Sequence, residues 1–265
     1  MKGSDSHGDS RGIVLLPSYN SGPLLARTVG AVAAVWPDIL VVIDGSTDAS
    51  ADAVRSLAAG QPGLRIMELP VNSGKGGAVL LGLRQILADG FTHALVMDAD
   101  GQHPAASVPE FFKLSAAHPG AMILGVPVFG ADAPPERVRG RKVGNWFANF
   151  ETLGGGIQDS LFGFRLYPAE VSLSIMESIR TARRFDFDTE LAVRLFWKGV
   201  RPINRPVPVT YPPREGGGVT HFNYLRDNLL LAGTHLRLCL GLLPRLWRVW
   251  TLSRKWKNIP DVRSC

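Results

Sequence analysis

The sequence predicts an α/β fold built on an open, mostly parallel sheet, and two observations carry that expectation. Short apolar runs recur along the chain, each of a length suited to a strand buried on both faces. Between them lie amphipathic stretches of helical length, and strands alternating with such helices make βαβ units. With 265 residues the chain holds one fairly large domain with a genuine core, and a second full domain does not fit.

Taken in order, the strand-like runs are Ile13–Leu16, Ile39–Ile43, Leu64–Leu69, His93–Met97 and Ala121–Leu124. The helical stretches between them are Pro23–Val35, Ala49–Ala59, Gly76–Ala88 and Ser107–Ala116. Pro127–Glu136 is rich in Pro, Gly and Ala and reads as a flexible loop able to close over a ligand, before a basic, aromatic helix at Val138–Leu153. A strand at Gly163–Tyr167, a helix at Thr189–Trp197 and a strand at Pro202–Val209 follow, then the Pro/Gly-rich segment Tyr211–Gly218. Residues 1–12 are Ser/Gly/Asp-rich without an apolar core, which predicts a disordered leader rather than a signal peptide. The expected division is leader 1–12, domain 13–220 and tail 221–265. Two cysteines, Cys239 and Cys265, make no disulfide framework and point to a reducing, cytoplasmic setting.

Charge is informative once it is located. Residues 1–225 carry 21 basic and 21 acidic side chains, so the whole formal excess of +6 lies in the last forty residues. Such an asymmetry suits an anionic partner for the tail, lipid headgroups or nucleic acid.

In open α/β sheets ligands bind beyond the carboxyl ends of the strands, so polar residues that follow an apolar run are the candidates for a site. Pro17, Ser18, Tyr19 and Asn20 follow the first strand, where the ring and amide could meet a base or ribose or simply form a turn. Asp44 ends the second strand and can accept from a base N–H, while Asp48 or Ser46 can cap the next helix. Asn72–Ala78 is glycine-rich and opens a helix, so the N–H groups about Gly74 together with Lys75 make either an anion site or a bare turn. Its spacing is not that of a Walker A loop. Behind the buried run His93–Met97 come Asp98, Asp100 and Gln102. Side chains alternate along extended backbone, so these three would offer oxygen ligands on one side. Hard oxygens suit Mg²⁺ or Mn²⁺, and such an ion would stabilise a diphosphate leaving group. Further along, Asp159, Arg165 and the run Phe185–Glu190 add acids and an arginine; Asp188 could act as a base or acceptor-orienting group, or cap the following helix.

These motifs in this order resemble the family 2 glycosyltransferases, specifically the branch of dolichyl-phosphate mannose synthases and bacterial polyprenyl-phosphate sugar transferases. The likeness covers Ile13 to Val209. It implies a GT-A fold with a Rossmann-like nucleotide-binding half, and inverting transfer by direct displacement from a UDP- or GDP-sugar to a lipid-linked or membrane-proximal acceptor. Asp98, Asp100 and Gln102 would hold the metal, and Pro17, Tyr19, Asp44 and Lys75 would line the nucleotide site. Arg139 or Arg141, with Arg165, would face donor or acceptor phosphate. The chain departs from the family at Ile43, where an acid is usual, and in lacking the pairs of long transmembrane helices that some relatives carry.

In the tail, Leu229–Pro244 is mostly apolar but holds His235 and Arg237, which reads as too short and too interrupted to span a bilayer. Leu236, Leu240, Leu243 and Trp247 form one helical stripe, with Arg237 and Arg248 on another face. Such basic amphipathic helices, with Trp247, Trp250 and Trp256, are expected to lie on the inner face of the plasma membrane, or else against the domain's own core. No nucleic-acid-binding motif accompanies the charge. Two other functions compete: a nucleotidyltransferase, which would need a Gly-rich, arginine-bearing loop after the first strand, and a nucleotide-sugar-binding membrane-surface protein without turnover.

Overall fold

The structure, a computed structural model, describes residues 11–130, 135–209 and 224–257. Most of the expected leader, part of the Pro127–Glu136 loop, the Tyr211–Gly218 segment and the last eight residues of the tail therefore lie outside the described residues. The elements run β1 (Gly12–Ser18), α1 (Pro23–Ala33), β2 (Ile39–Asp44), α2 (Ser50–Ala58), β3 (Leu64–Leu69), α3 (Lys75–Ala88), β4 (His93–Val96), α4 (Val108–Ala117) and β5 (Ala121–Phe129). Then come α5 (Pro135–Glu151), β6 (Arg165–Pro168), α6 (Ala169–Ser178), α7 (Phe187–Lys198), β7 (Arg201–Val209), α8 (Tyr224–Leu242) and α9 (Leu246–Lys257).

Among the described residues seven strands form one sheet in the order β3-β2-β1-β4-β6-β5-β7, in which β6 alone runs against its neighbours. The central strands β1 and β2 are buried at every position, as their continuous apolar sequences require. Their side chains divide by alternation. Ile13, Leu15, Leu40 and Val42 face a core shared with α3, α6 and α7, while Val14, Leu16, Val41 and Ile43 face α1, α2 and α4. Two layers of helices thus clamp the sheet.

Three elements differ from the sequence reading. Strand β5 continues through Pro127 to Phe129, where a loop was expected. It pairs there with β7 at the sheet edge, and the edge position is what tolerates Pro202, Pro206 and Pro208 in β7. Helix α6 was not expected at all. Its buried face consists of Ala169, Ser172, Ile175 and Met176, and a buried serine in the stripe obscures the apolar period. In the tail, Pro244 does not end the helical run. It sits in a single 3₁₀ turn, Leu243–Arg245, that carries α8 into α9. By length and composition alone, Leu225–Lys257 is thus long and apolar enough to cross a membrane, which corrects the expectation that it is too short and interrupted.

The tail is nevertheless fastened to the domain. Leu238, Leu242 and Val249 enter the same core as α7. Buried polar contacts fix the register: Thr234 Oγ1 donates to Asp186 Oδ2 (3.2 Å), His235 Nδ1 meets Glu151 Oε1 (2.8 Å) and Ser253 Oγ donates to the Leu153 carbonyl (2.7 Å). Such groups, left unpaired in hydrocarbon or in a core, would be costly.

Candidate active site

The carboxyl ends of β1, β2 and β4 and the start of α3 surround a cavity of about 440 Å³. Pro17 and Tyr19, Asp44, Gly74 and Lys75, and Asp98 and Asp100 all line it, so seven of the sequence-predicted nucleotide and metal residues meet in one place, without Asn20 and Gln102. That place is the crevice at strand ends that an open sheet offers to a ligand.

Lys75, the first residue of α3, is the centre of the charge arrangement. Its Nζ stands 2.6 Å from Asp98 Oδ1 and 2.9 Å from Asp188 Oδ2. Burial works against the ammonium, but the Asp188 and Asp98 carboxylates outweigh it and hold the Lys75 pKa well above the usual lysine value. Burial likewise raises Asp188, against the pull of Lys75 and Arg165, whereas Asp98 stays below the usual carboxylate range because Lys75 overcomes its burial. Asp188 Oδ1 is buried without a hydrogen-bond partner among the described residues. Its carboxylate makes no capping bond, since α7 begins one residue before it, so the helix-cap reading gives way to the contact with Lys75.

The acidic segment is shaped by turns rather than by an extended strand. β4 ends at Val96, Gly101 adopts φ 73°, and the Gln102 N–H donates to Asp100 Oδ1 at 3.0 Å. The alternation assumed for Asp98, Asp100 and Gln102 therefore stops short of Gln102, which is absent from the cavity wall. Among the described residues no three His, Cys, Asp or Glu side chains gather as a metal cluster. Two carboxylates on a cavity wall still fit a hard cation, because Mg²⁺ is commonly held by one or two carboxylates with substrate phosphates completing the shell. His103 closes the turn: its Nδ1 accepts from the Asp98 N–H at 3.1 Å, and burial lowers its pKa to about 4, keeping the ring neutral.

Other predicted residues serve the walls. Asn20 Oδ1 accepts from the Thr47 N–H (2.7 Å) and the Asn20 N–H donates to Ser46 Oγ (2.9 Å), so Asn20 ties two strand-end loops together instead of facing the cavity. Ser46 is thereby spent on that tie, and Asp48 accepts from the N–H groups of Ser50 and Gly22. Asp44 accepts from both the N–H and the hydroxyl of Ser73, each at 2.7 Å. In the glycine-rich turn, a Cβ at Gly74 would run into the Arg183 carbonyl, and the Gly77 N–H donates to that same carbonyl at 3.2 Å. The turn thus packs on the segment before α7, and part of its N–H set is not available to an anion.

Arg165 is a correction. It is fully buried and donates to the carbonyls of Phe162 (2.7 Å), Asp188 (2.6 Å) and Asp159 (3.0 Å) and to Tyr167 Oη (3.3 Å). With its guanidinium so engaged it props the site from behind and does not face a phosphate. Asp159 is capped in turn by the N–H groups of Leu161 and Phe162 and pairs with Arg141 Nη1 at 2.8 Å. Arg139 stands in α5, but its side chain lies outside the described residues. Sequence reasoning missed Arg184 and Arg226, and took the run from Phe185 for its acids alone; all three residues also line the cavity. They come from the segment before α7 and the start of α8, and no strand-end pattern marks them.

Comparison with known proteins identifies the family. Residues 13–174 match the family described as Glycosyl transferase family 2. The chain is 28% identical over 221 residues to the undecaprenyl-phosphate mannosyltransferase of Micrococcus luteus, covering 78% of this chain and 86% of that one. It is 31% identical over 213 residues to the polyprenol monophosphomannose synthase of Mycolicibacterium smegmatis, covering 78% and 79%. Among solved structures it resembles a mannosyltransferase from Pyrobaculum calidifontis in complex with GDP-Man and Mn²⁺, with a TM-score of 0.55, 18% identity and coverage of 94% and 83%.

Proposed function

The chain belongs to glycosyl transferase family 2 and is a glycosyltransferase, and on that premise we propose that it moves a sugar, with inversion, from a UDP- or GDP-sugar to a polyprenyl phosphate at a membrane surface. The observation that carries this reading is the gathering of Asp98, Asp100, Asp44 and Tyr19 about one cavity at the strand ends. An oxygen of the acceptor phosphate forms the new bond to the anomeric carbon as the bond to the donor's β-phosphate oxygen breaks. The nucleoside diphosphate leaves with that electron pair. Pro17, Tyr19 and Asp44 border the nucleoside end. A divalent cation, Mg²⁺ or Mn²⁺, would be held by Asp98 and Asp100 and would supply charge neutralisation of the diphosphate. Asp188, buried beside the cavity on Lys75, would act as a positioning residue that holds Lys75 and, through it, Asp98 in place.

The tail supplies the membrane contact. Leu225, Leu229, Leu236, Leu240, Leu243 and Trp247 are exposed and recur at helical spacing, and Arg245, Arg248, Arg254 and Lys255 lie exposed among or beyond them. An apolar stripe bordered by cations suits the inner, anionic face of the plasma membrane.

The test is direct. Purified protein is supplied with GDP- and UDP-sugars, Mn²⁺ and undecaprenyl phosphate in detergent, and glycolipid and free nucleoside diphosphate are measured together. Asp100→Asn should lower transfer by more than about a hundredfold with an unchanged melting temperature. Folded wild-type protein that forms no glycolipid from any donor would refute the reading.

A further inference from the structure

Residues 182–188, which lead into α7, touch the cavity, helix α3 and helix α8 at once. Arg184 and Phe185 line the cavity, and Asp188 pairs with Lys75 at 2.9 Å. On one side the segment lies directly on the start of α3. The Arg183 carbonyl accepts from the Gly77 N–H at 3.2 Å, and a Cβ at Gly76 would come 2.8 Å from Phe187 Cβ and 3.0 Å from the Ala182 carbonyl. Glycine there is what allows so close an approach to the helix that begins with Lys75. On the other side the segment is held by the tail. Asp186 is 3% exposed and divides its carboxylate: Oδ1 accepts from the Arg184 N–H, which closes the turn, and Oδ2 accepts from Thr234 Oγ1 on α8, each at 3.2 Å. Arg237 Nη2, one turn along α8, donates to Thr234 Oγ1 at 2.7 Å and to Glu190 Oε2 of α7 at 3.3 Å. A hydroxyl has one proton to give, and with Arg237 on its lone pair that proton is directed at Asp186.

We propose that Asp186 and Thr234 are positioning residues of the active site, through which α8 holds residues 182–188 against α3 and so sets the place of Lys75 and of the cavity wall. Neither side chain is on the cavity wall itself. They act through the backbone: the turn closed by Asp186 carries the Arg183 carbonyl to Gly77, Phe187 to Gly76 and Asp188 to Lys75, three contacts on the first turn of α3. Lys75 in turn pairs with Asp98 at 2.6 Å, so a shift of this turn reaches the acidic wall. Burial makes the linkage stiff. Asp186, Thr234 and Glu190 are all 3% exposed or less, and a buried carboxylate that loses its donor costs more than the bond itself returns. The helix whose outer face carries the exposed Leu stripe therefore also braces the cavity from its inner face. The ligand, a nucleoside diphosphate, comes from the transferase reading; the linkage from α8 to α3 does not depend on it.

The experiment compares Thr234→Val, which keeps the shape and removes the hydroxyl, with Thr234→Ser, which restores it. Amide hydrogen exchange is followed by mass spectrometry on the full chain, and GDP and UDP binding by calorimetry in Mn²⁺. Thr234→Val should raise exchange by about tenfold in peptides covering residues 73–78 and 182–188. It should weaken GDP or UDP binding by about three- to tenfold, with the donor KM rising in step, and Thr234→Ser should stay close to wild type throughout. If Thr234→Val does not fold, Thr234→Ala, which leaves room for a water beside Asp186, carries the same comparison. Ser253→Ala removes a different tail bond, that to the Leu153 carbonyl, and should leave both readouts unchanged. Unaltered exchange at residues 73–78 in Thr234→Val overturns the proposal, as does unaltered affinity for a nucleotide that the wild type binds. An equal effect from Ser253→Ala overturns it too. Localised exchange in Thr234→Val of a protein that binds neither GDP nor UDP would uphold the linkage and sink the transferase reading instead.

Discussion

Lys75 and Asp188 stand 113 residues apart in sequence, yet the Lys75 ammonium lies 2.9 Å from the Asp188 carboxylate and also bridges to Asp98 at 2.6 Å. The bridge ties the start of α3 to the start of α7 and to the turn after β4. Both Lys75 and Asp188 are nearly buried, with side chains 10% and 4% exposed, so neither charge has water to fall back on.

Lys75→Met follows from that arrangement. It strands Asp188, and in part Asp98, as uncompensated buried acids, and loss of one partner of a buried pair costs about 3–5 kcal/mol. The variant should show a clearly lower urea midpoint as well as loss of transfer. Asp188→Asn leaves Lys75 its second partner, Asp98, and should lose transfer with a much smaller fall in stability. Equal urea midpoints for Lys75→Met and wild type would mean that the bridge holds nothing together.

Gly163 makes a sharper probe of the same place. A Cβ added there would sit on Asp98 Oδ2 and 2.8 Å from Lys75 Nζ. Gly163→Ala must therefore push the Asp98 carboxylate aside, a movement that a partly exposed side chain accommodates without unfolding. Transfer should fall by about tenfold or more while the stability loss stays near 1 kcal/mol, since a 1 Å misplacement costs far more in rate than in folding. Activity equal to wild type would show that the position of Asp98 is not critical.

The strand-end half of the site was legible in the sequence because physics forces it to be local. A buried parallel strand must end somewhere, and the first polar residues after β1, β2 and β4 can only face the crevice, which is where Tyr19, Asp44, Asp98 and Asp100 lie. Alternation gave out one turn later, because Gly101 at φ 73° redirects the chain before Gln102. Arg165 misled for a different reason. Its position at the start of β6 looked functional, and only the antiparallel pairing of β6 between β4 and β5 places its guanidinium beneath three carbonyls. Arg184 and Arg226 were invisible because they approach from segments whose path is set by tertiary packing. No local period encodes that.

Glu151 supplies a pH-dependent test. Its carboxyl is fully buried at the end of α5, and burial raises its pKa, partly offset by His235 and Cys239 on α8 and reinforced by the charge of Glu190 on α7. Its Oε2 has no hydrogen-bond partner among the described residues. A folded-state pKa above the unfolded one means that the unfolded chain releases this proton first, so the contribution of Glu151 to stability falls as pH rises from the unfolded value through the folded one. Glu151→Gln removes that titration. Relative to wild type, the variant should gain in melting temperature between pH 4 and pH 7, and a difference that is flat across that range would contradict the shift.

The tail calls for substitution rather than truncation. Cutting the chain before α8 would strip Leu238, Leu242 and Val249 from the core and leave Asp186 and Glu151 without Thr234 and His235. The truncated protein is therefore expected to unfold, and its failure to bind vesicles would say nothing about a membrane face. Leu240 and Trp247 are 60% and 75% exposed and lie on the stripe away from those contacts, so Leu240→Glu with Trp247→Glu changes the outer face alone. Each replaced side chain gives up roughly 1.5–3 kcal/mol of apolar burial at the headgroup boundary and adds repulsion from anionic lipid. Sedimentation with vesicles containing phosphatidylglycerol should fall by at least about tenfold, with the melting temperature held. Transfer to a short, water-soluble polyprenyl phosphate should continue at the wild-type rate, while transfer to undecaprenyl phosphate in vesicles drops. Full sedimentation of the double variant would place the membrane contact on another surface of the protein.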